Sequence, residues 1–322
     1  MTDNPSEQKI VVGLGELLWD LLPEGPRLGG APANFAVMAG RLGDHAVIAS
    51  RLGADSLGEQ ARNVLDALPV DCSFLQTDAE FATGTVTVSF SKGEPHYAIH
   101  QPAAWDYLTL TPEWRSLAQR ADAVCFGTLA QRDAIARHTI LEFLDATRPS
   151  CVRVFDVNLR APFWTADALR YSLGRSTILK LNARELPLVL EKTGICPHPP
   201  PGPDDEVLRG AQRLLDRYPL AMVCVTLGAE GSLLVTREHS HRRHGLAATV
   251  RDTIGAGDAF TAALTHYHLE GALLPVLNEA GNRWGAWMAS QTGAMPPLPA
   301  ETLASMAVEI RRDAPTLGQV GL

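Results

Sequence analysis

No Gly-Lys dipeptide occurs in the chain, so there is no Walker A loop, whose lysine follows a glycine and reaches the phosphates. Long apolar runs are missing too: nothing approaches the roughly 18 unbroken apolar residues that a membrane-spanning helix needs. Basic residues are in the minority, 28 Lys+Arg against 36 Asp+Glu, and a net charge of −8 gives no field for nucleic acid or an anionic membrane. Cysteine is sparse. Cys72, Cys125, Cys151, Cys196 and Cys224 stand singly, without a CxxC pair or a Cys/His cluster, as expected of reduced thiols in a cytoplasmic protein. The opening MTDNPSEQK is polar with both charge signs, unlike a signal peptide. The rest is ordinary globular composition: 322 residues, 46% hydrophobic and 20% charged, enough for one large domain or two modest ones.

Short apolar runs alternate with helix-compatible stretches. Ile10–Gly15 reads as a buried strand, Ala33–Leu42 as a helix stopped by Gly43, Ala46–Ser50 as a second strand and Leu57–Leu68 as a second helix. Further strands are expected at Ala123–Gly127, Val152–Asp156, Thr177–Leu181 and Met222–Thr226. This alternation predicts an α/β domain with parallel strands, right-handed crossovers and a ligand crevice at the strands' C-terminal ends. Residues 83–100 differ. Thr85–Phe90 and Pro95–His100 alternate polar and apolar around Ser91-Lys92-Gly93-Glu94, which predicts a half-exposed hairpin suited to a lid. Its unpaired edge suggests a homodimer formed through the lid. The proline-rich Cys196–Pro203 reads as a surface loop, and His241-Arg242-Arg243-His244 as a solvated hairpin tip.

The sharpest chemical signal is Asp252-Thr253-Ile254-Gly255-Ala256-Gly257-Asp258, followed by a helical stretch to about Glu270. Two glycines flanking an alanine can present successive amides at a helix N-terminus, where orphan donors and the dipole favour an anion. Asp258 beside such a pocket would repel a phosphate unless it serves to accept a proton during phosphoryl transfer. A plain N-cap is the competing use of that aspartate, but it leaves the Gly-Ala-Gly turn without a purpose. Gly13-Leu14-Gly15 begins like a dinucleotide fingerprint, yet Leu18 stands where the third glycine belongs.

Asp-Thr-x-Gly-Ala-Gly-Asp before a helix resembles the C-terminal signature of the ribokinase-like (PfkB) carbohydrate kinases. Gly29-Gly30-Ala31-Pro32-Ala33-Asn34 through Gly43 resembles their N-terminal signature, and the likeness runs from Ile10 to about Leu298. It implies a single ribokinase-like three-layer α/β/α domain over residues 1–322, with a mostly parallel sheet and a lid formed by about residues 15–28 and 83–105. Ala31-Pro32, and the opening Gly-Glu-Leu-Leu-Trp-Asp, resemble the fructokinase branch more than ribokinases proper. The implied activity is ATP-dependent phosphorylation of a sugar hydroxyl, fructose to fructose 6-phosphate. Ribose, a nucleoside or 2-keto-3-deoxygluconate as acceptor, or a non-catalytic sugar-binding protein of the same fold, remain as alternatives.

Carried onto this chain, the resemblance makes Asp258 the general base and Gly255, Ala256 and Gly257 the anion hole. Arg160 is either a phosphate clamp or the partner of Asp156 in a strand-end ion pair. Asp20, Gly30, Asn34 and Asn158 are candidate sugar ligands, and Tyr97 and Gln101 candidate lid contacts. As bare residues, Asp20 could be a solvated turn and Asn34 a helix-start hydrogen bond. Asn182, Thr226, Gly228, Gly231 and Asn282 are candidate ATP ligands, with Asn282 equally readable as a helix-surface amide. Glu185, in Asn182-Ala183-Arg184-Glu185, is expected to hold Mg²⁺ through water, although the same spacing is a capping box and Pro187 complicates a helix starting at Asn182. Asp252 and Ser290 resemble positions that bind a monovalent cation such as K⁺.

Overall fold

Strands and helices follow one another much as the apolar runs predict. The computed structural model describes residues 8–91, 94–195 and 204–313, apart from the side chains of 88–91, 94–97 and 204–205. The first run forms β1 (Ile10–Leu14), followed by β2 (Leu18–Leu22), β3 (Gly25–Gly29), α1 (Ala31–Leu42), β4 (His45–Gly53), α2 (Ser56–Leu65) and β5 (Leu75–Asp78). The expected hairpin is β6 (Gly84–Ser91) and β7 (Glu94–Ile99), with Lys92 and Gly93 outside the described residues. Then come α3 (Pro112–Arg120), β8 (Ala123–Phe126), α4 (Ala134–Asp145), β9 (Val152–Asp156), α5 (Ala166–Leu173), β10 (Ile178–Asn182) and α6 (Glu185–Thr193). The chain continues through α7 (Asp204–Arg217), β11 (Met222–Thr226), β12 (Ser232–Val235), β13 (Ser240–Arg243), α8 (Ala256–Leu269), α9 (Leu274–Ala289) and α10 (Ala300–Asp313). The proline-rich segment 196–203 lies outside the described residues.

Among the described residues, nine strands form one sheet in the order β13-β12-β11-β10-β9-β8-β1-β4-β5. Pairing is parallel from β11 to β5, and antiparallel only where β12 and β13 extend one edge. Because neighbouring strand residues point to opposite faces, Val11 and Val12 enter different cores. On one side Val12, Phe126, Phe155 and Leu179 pack with Trp114 of α3, Phe143 of α4 and Leu214 of α7. On the other, Val11, Cys125, Val154 and Ile178 pack with Phe35 of α1, Phe260 of α8 and Trp284 of α9. A parallel sheet covered by helices on both faces needs such continuous apolar strands, and these have them.

A second sheet of four strands, in the order β3-β2-β6-β7, joins the predicted hairpin to an earlier one. β2 runs parallel to β6, and the other two pairs are antiparallel. Pro26 sits in the edge strand β3, where a missing N–H is tolerated.

Local readings are corrected in two places. Were the strand at Val152–Asp156 to continue, positions 156, 158 and 160 would alternate onto one side, but it ends at Asp156. Instead Asn158 adopts φ 40°, a left-handed conformation that asparagine tolerates better than most residues. His241–Arg243 is not a solvated hairpin tip but strand β13, because it pairs with β12 and is tied to α9. Asn278 Nδ2 donates to the His241 carbonyl at 2.7 Å, and Arg243 pairs with the fully buried Glu279. Among the described residues no helix is long and apolar enough to cross a membrane.

Candidate active site

A cleft of about 700 Å³ opens at the C-terminal ends of β1, β9 and β10, where the helices on one face begin. Glu16, Asp20, Asn34, Asn158, Arg160, Lys180, Arg184, Gly255, Gly257 and Asp258 line it, with Leu18, Val86 and Ile99 entering from the four-stranded sheet. Residues from five distant segments therefore meet in one place.

The N-termini of α1 and α8 converge on this cleft. Gly30 precedes α1 with φ 115°, and a Cβ there would stand 2.4 Å from the Glu16 carbonyl oxygen, so only glycine lets the chain turn into the helix. Gly255 precedes α8 with φ 77° and would bring a Cβ to 2.9 Å from the Ala294 backbone. Ala256 N–H donates to the Thr253 carbonyl at 3.2 Å, and the first ladder bond of α8 is Ala259 N–H to Gly255 at 2.8 Å. The Gly257 and Asp258 amides thus precede the ladder and face the position where a helix start attracts an anion.

Asp258 is the third residue of α8. Asn34 Nδ2 donates to its Oδ2 at 2.7 Å, while Asn34 Oδ1 is buried without a partner among the described residues. Burial is the largest influence on the Asp258 carboxyl, and with the Asp156 charge it raises the pKa to about 6 against the pull of Asn34, Lys180 and Arg160. A carboxylate poised near neutrality beside an anion-attracting helix start can take a proton from an alcohol while phosphate binds nearby.

Asp20 lies in β2 and its pKa is raised to about 6, chiefly by burial, with Arg160 and Arg27 opposing. Arg160 is exposed at the cleft rim. The partner of Asp156 is not Arg160 but Lys180, whose Nζ lies 3.0 Å from both carboxylate oxygens.

Asn182 and Glu185 form the reciprocal box that their spacing allows. Asn182 Oδ1 accepts from Glu185 N at 3.0 Å, Glu185 Oε2 accepts from Asn182 N at 2.8 Å, and Glu185 Oε1 accepts from Leu159 N at 2.8 Å. Because α6 begins at Glu185 rather than Asn182, Pro187 falls in its first turn, where it does no harm. Burial raises the Glu185 pKa against the stabilising amides of Asn182 and Leu159.

The remaining candidates divide. Thr226 ends β11 beside Asn182, and Gly228 (φ 60°) and Gly231 (φ 97°) shape the turn after it. Asn282 is no surface amide: its Nδ2 donates to Ser232 Oγ at 2.6 Å and to the Asn278 carbonyl at 2.7 Å inside a buried cluster. Asp252 fastens the loop before α8, accepting from Ile254 N at 3.0 Å and Gly293 N at 3.1 Å and pairing with Arg27 at 3.4 Å. Ser290 Oγ donates to the Trp287 carbonyl at 2.7 Å. Gln101 is exposed and is not among the cleft-lining residues, and the Tyr97 side chain lies outside the described residues.

A family model described as pfkB family carbohydrate kinase matches residues 26–301. The chain belongs to the pfkB family of carbohydrate kinases. It is 30% identical over 307 residues to a fructokinase of Escherichia coli, covering 89% of this chain and 95% of that protein. An aminoimidazole riboside kinase of Salmonella enterica, solved with its riboside and an ATP analog, is 27% identical at a TM-score of 0.75, covering 92% of this chain and 99% of the other. A fructokinase of Vibrio cholerae O395, solved with fructose, ADP and calcium, is 25% identical at a TM-score of 0.76, covering 93% and 99%. This pfkB kinase is therefore a sugar kinase with the ribokinase-like three-layer fold.

Two cleft residues were not singled out by motif. Glu16 is buried with Oε2 lacking a partner among the described residues, and its pKa is raised to about 7, mainly by burial and further by Asp258. Lys180 is a cation in the apolar strand Ile178-Leu179-Lys180-Leu181, and that mismatch is the sequence signal that marks it.

Proposed function

We propose that this sugar kinase transfers the γ-phosphoryl group of ATP to the primary hydroxyl of fructose, giving fructose 6-phosphate. The observation that carries the reading is the Asn34–Asp258 pair, which sets a base near neutrality at the start of α8 inside the cleft. In the transfer, the hydroxyl oxygen attacks the γ-phosphorus as its proton passes to an Asp258 carboxylate oxygen. The bond from phosphorus to the β,γ-bridging oxygen breaks, and its electron pair leaves with ADP. Amides at the start of α8 stabilise charge gathering on the equatorial oxygens. Asp20 and the unpartnered Asn34 Oδ1 accept hydroxyl hydrogen bonds from the sugar, with Asn158 and Arg160 along the same cleft. The four-stranded sheet closes over the acceptor and keeps out water, which would otherwise compete for the phosphoryl group.

Thr226, Gly228 and Gly231 flank the nucleotide in this reading, and Asn282 acts by shaping the wall behind it. Among the described residues no group of three or more His, Cys, Asp or Glu could cage a metal. Mg²⁺ needs only one or two carboxylates beside substrate phosphates, and the rigidly held Glu185 is the carboxylate that fits. When bound, Mg²⁺ neutralises charge on the triphosphate. Asp252 is the candidate for a monovalent cation. The open edges β3 and β7 are where two copies would pair into a homodimer, and the unpaired Cys72, Cys125, Cys151 and Cys224 fit a cytoplasmic setting.

The likeness to a riboside kinase favours a second reading, in which the primary hydroxyl belongs to a ribosyl group. ADP release with ATP, Mg²⁺ and fructose, ribose, 2-keto-3-deoxygluconate or a riboside nucleoside tests both. The expected result is a kcat/KM for fructose at least about ten-fold above the others, an interaction difference of about 1.4 kcal/mol. No turnover of fructose beside efficient turnover of a riboside would replace the first reading with the second.

A further inference from the structure

We propose that Lys180 is a catalytic residue whose ammonium grips the γ-phosphoryl group of ATP from beneath the backbone of Gly257. The proposal rests on the kinase reading of the cleft but not on the identity of the acceptor.

Lys180 sits in β10, a strand with apolar neighbours on both faces, and is 8% exposed. A buried ammonium is costly unless it is paired. Asp156 supplies the pairing, with Nζ 3.0 Å from both of its oxygens, and Thr261 Oγ1 donates to the same carboxylate at 2.9 Å. An ion pair needs nothing more, yet Lys180 also lines the cleft with Asp258 and Gly257. An ammonium has three N–H donors. Among the described residues, only Asp156 accepts from Lys180, so a donor is left for the cleft.

Gly257 shows how close that donor comes to the anion pocket. A Cβ on Gly257 would stand 2.9 Å from Lys180 Nζ, so the ammonium lies directly under the backbone at the start of α8. The missing side chain leaves room for the lysine as much as for a phosphate. After Asp156, the charges that act most on Lys180 are Asp258 and then Glu185, the proton acceptor and the carboxylate suited to Mg²⁺. Between those two groups is where a phosphoryl group in flight must lie. Burial pushes the lysine's pKa down, but Asp156 and Asp258 outweigh it and raise it above the ordinary value.

ATP and ADP differ only in the phosphoryl group at issue, so their dissociation constants, measured with Mg²⁺ and no acceptor, test the contact directly. Lys180→Met removes the ammonium but strands a buried carboxylate, so Lys180→Met/Asp156→Asn is measured beside it. Both variants are expected to weaken ATP about ten- to a hundred-fold while leaving ADP within about two-fold. Turnover of the double variant should stay about 10²–10³ below that of the unmodified enzyme. Equal changes for ATP and ADP, or a double variant that regains full turnover, would overturn the proposal by showing that Lys180 only neutralises Asp156. An unmodified protein that phosphorylates no acceptor would defeat the functional reading, and the ATP-to-ADP comparison would still decide the role of Lys180.

Discussion

Asn34 and Asp258 are 224 positions apart in the chain, yet the Asn34 amide donates to the Asp258 carboxylate at 2.7 Å. One helix start thereby orients and ionises the acid carried by another. The bond stabilises the charged form of Asp258, opposing the burial that raises its pKa to about 6.

Removing that donor should leave Asp258 harder to ionise. The base must be charged to work, so kcat/KM falls as pH drops through the pKa of the free enzyme. Asn34→Ala should move this acid limb upward from about pH 6 and lower kcat/KM at pH 7 roughly ten-fold or more. The pH profile of kcat/KM is the measurement, and an unmoved limb would separate Asn34 from the base.

Asp20 tests the acceptor side of the cleft. Asp20→Asn keeps the shape but loses acceptor capacity for hydroxyl groups, so KM for the sugar should rise about ten- to a hundred-fold. KM for ATP should stay within about two-fold, since no triphosphate contact is lost. Initial rates with each substrate varied in turn would show whether the two move together, which would contradict this placement.

Glu16 offers a stability test with a definite sign. Its folded pKa of about 7 lies above the ordinary 4.5, so the folded state holds the proton more tightly than the unfolded chain does. Stability should therefore fall as pH rises from about 4.5 to about 7, where the buried carboxyl is forced to ionise without a partner for Oε2. Glu16→Gln should raise Tm by about 2–5 °C at pH 8 and by little at pH 5. Thermal melts at the two pH values would refute the assignment if the gain appeared at pH 5 instead.

The parallel core was legible because its central strands are short and mostly apolar, as in Ala123–Phe126 and Met222–Thr226. β2 and β3 are harder to see in the sequence: Pro26 interrupts the β3 pattern, and β2 gains its second neighbour, β6, only from Gly84 onward, more than sixty residues after Leu18. The helix-start motifs gave Asp258, Asn34 and Gly30 because helix-terminus chemistry is local. Lys180 and Glu16 match no helix-start motif: each shows in the sequence only as a charged residue in an apolar stretch, and the groups that act on it, Asp156 on Lys180 and Asp258 on Glu16, come from elsewhere in the fold. Asn282 is visible in sequence only as one amide in a helix, and its ties to Ser232 and Asn278 emerge when α9 docks on β12.

The most direct test of the central claim is single-turnover phosphoryl transfer by Asp258→Asn, with ATP affinity and Tm measured on the same sample. Asparagine preserves the volume beside Asn34 but cannot accept the hydroxyl proton. The transfer rate should fall about 10²–10⁴-fold while ATP affinity stays close to that of the unmodified enzyme and Tm does not fall. A variant that transfers phosphate at near-normal rate would remove Asp258 from the proton path, and with it the account of this cleft.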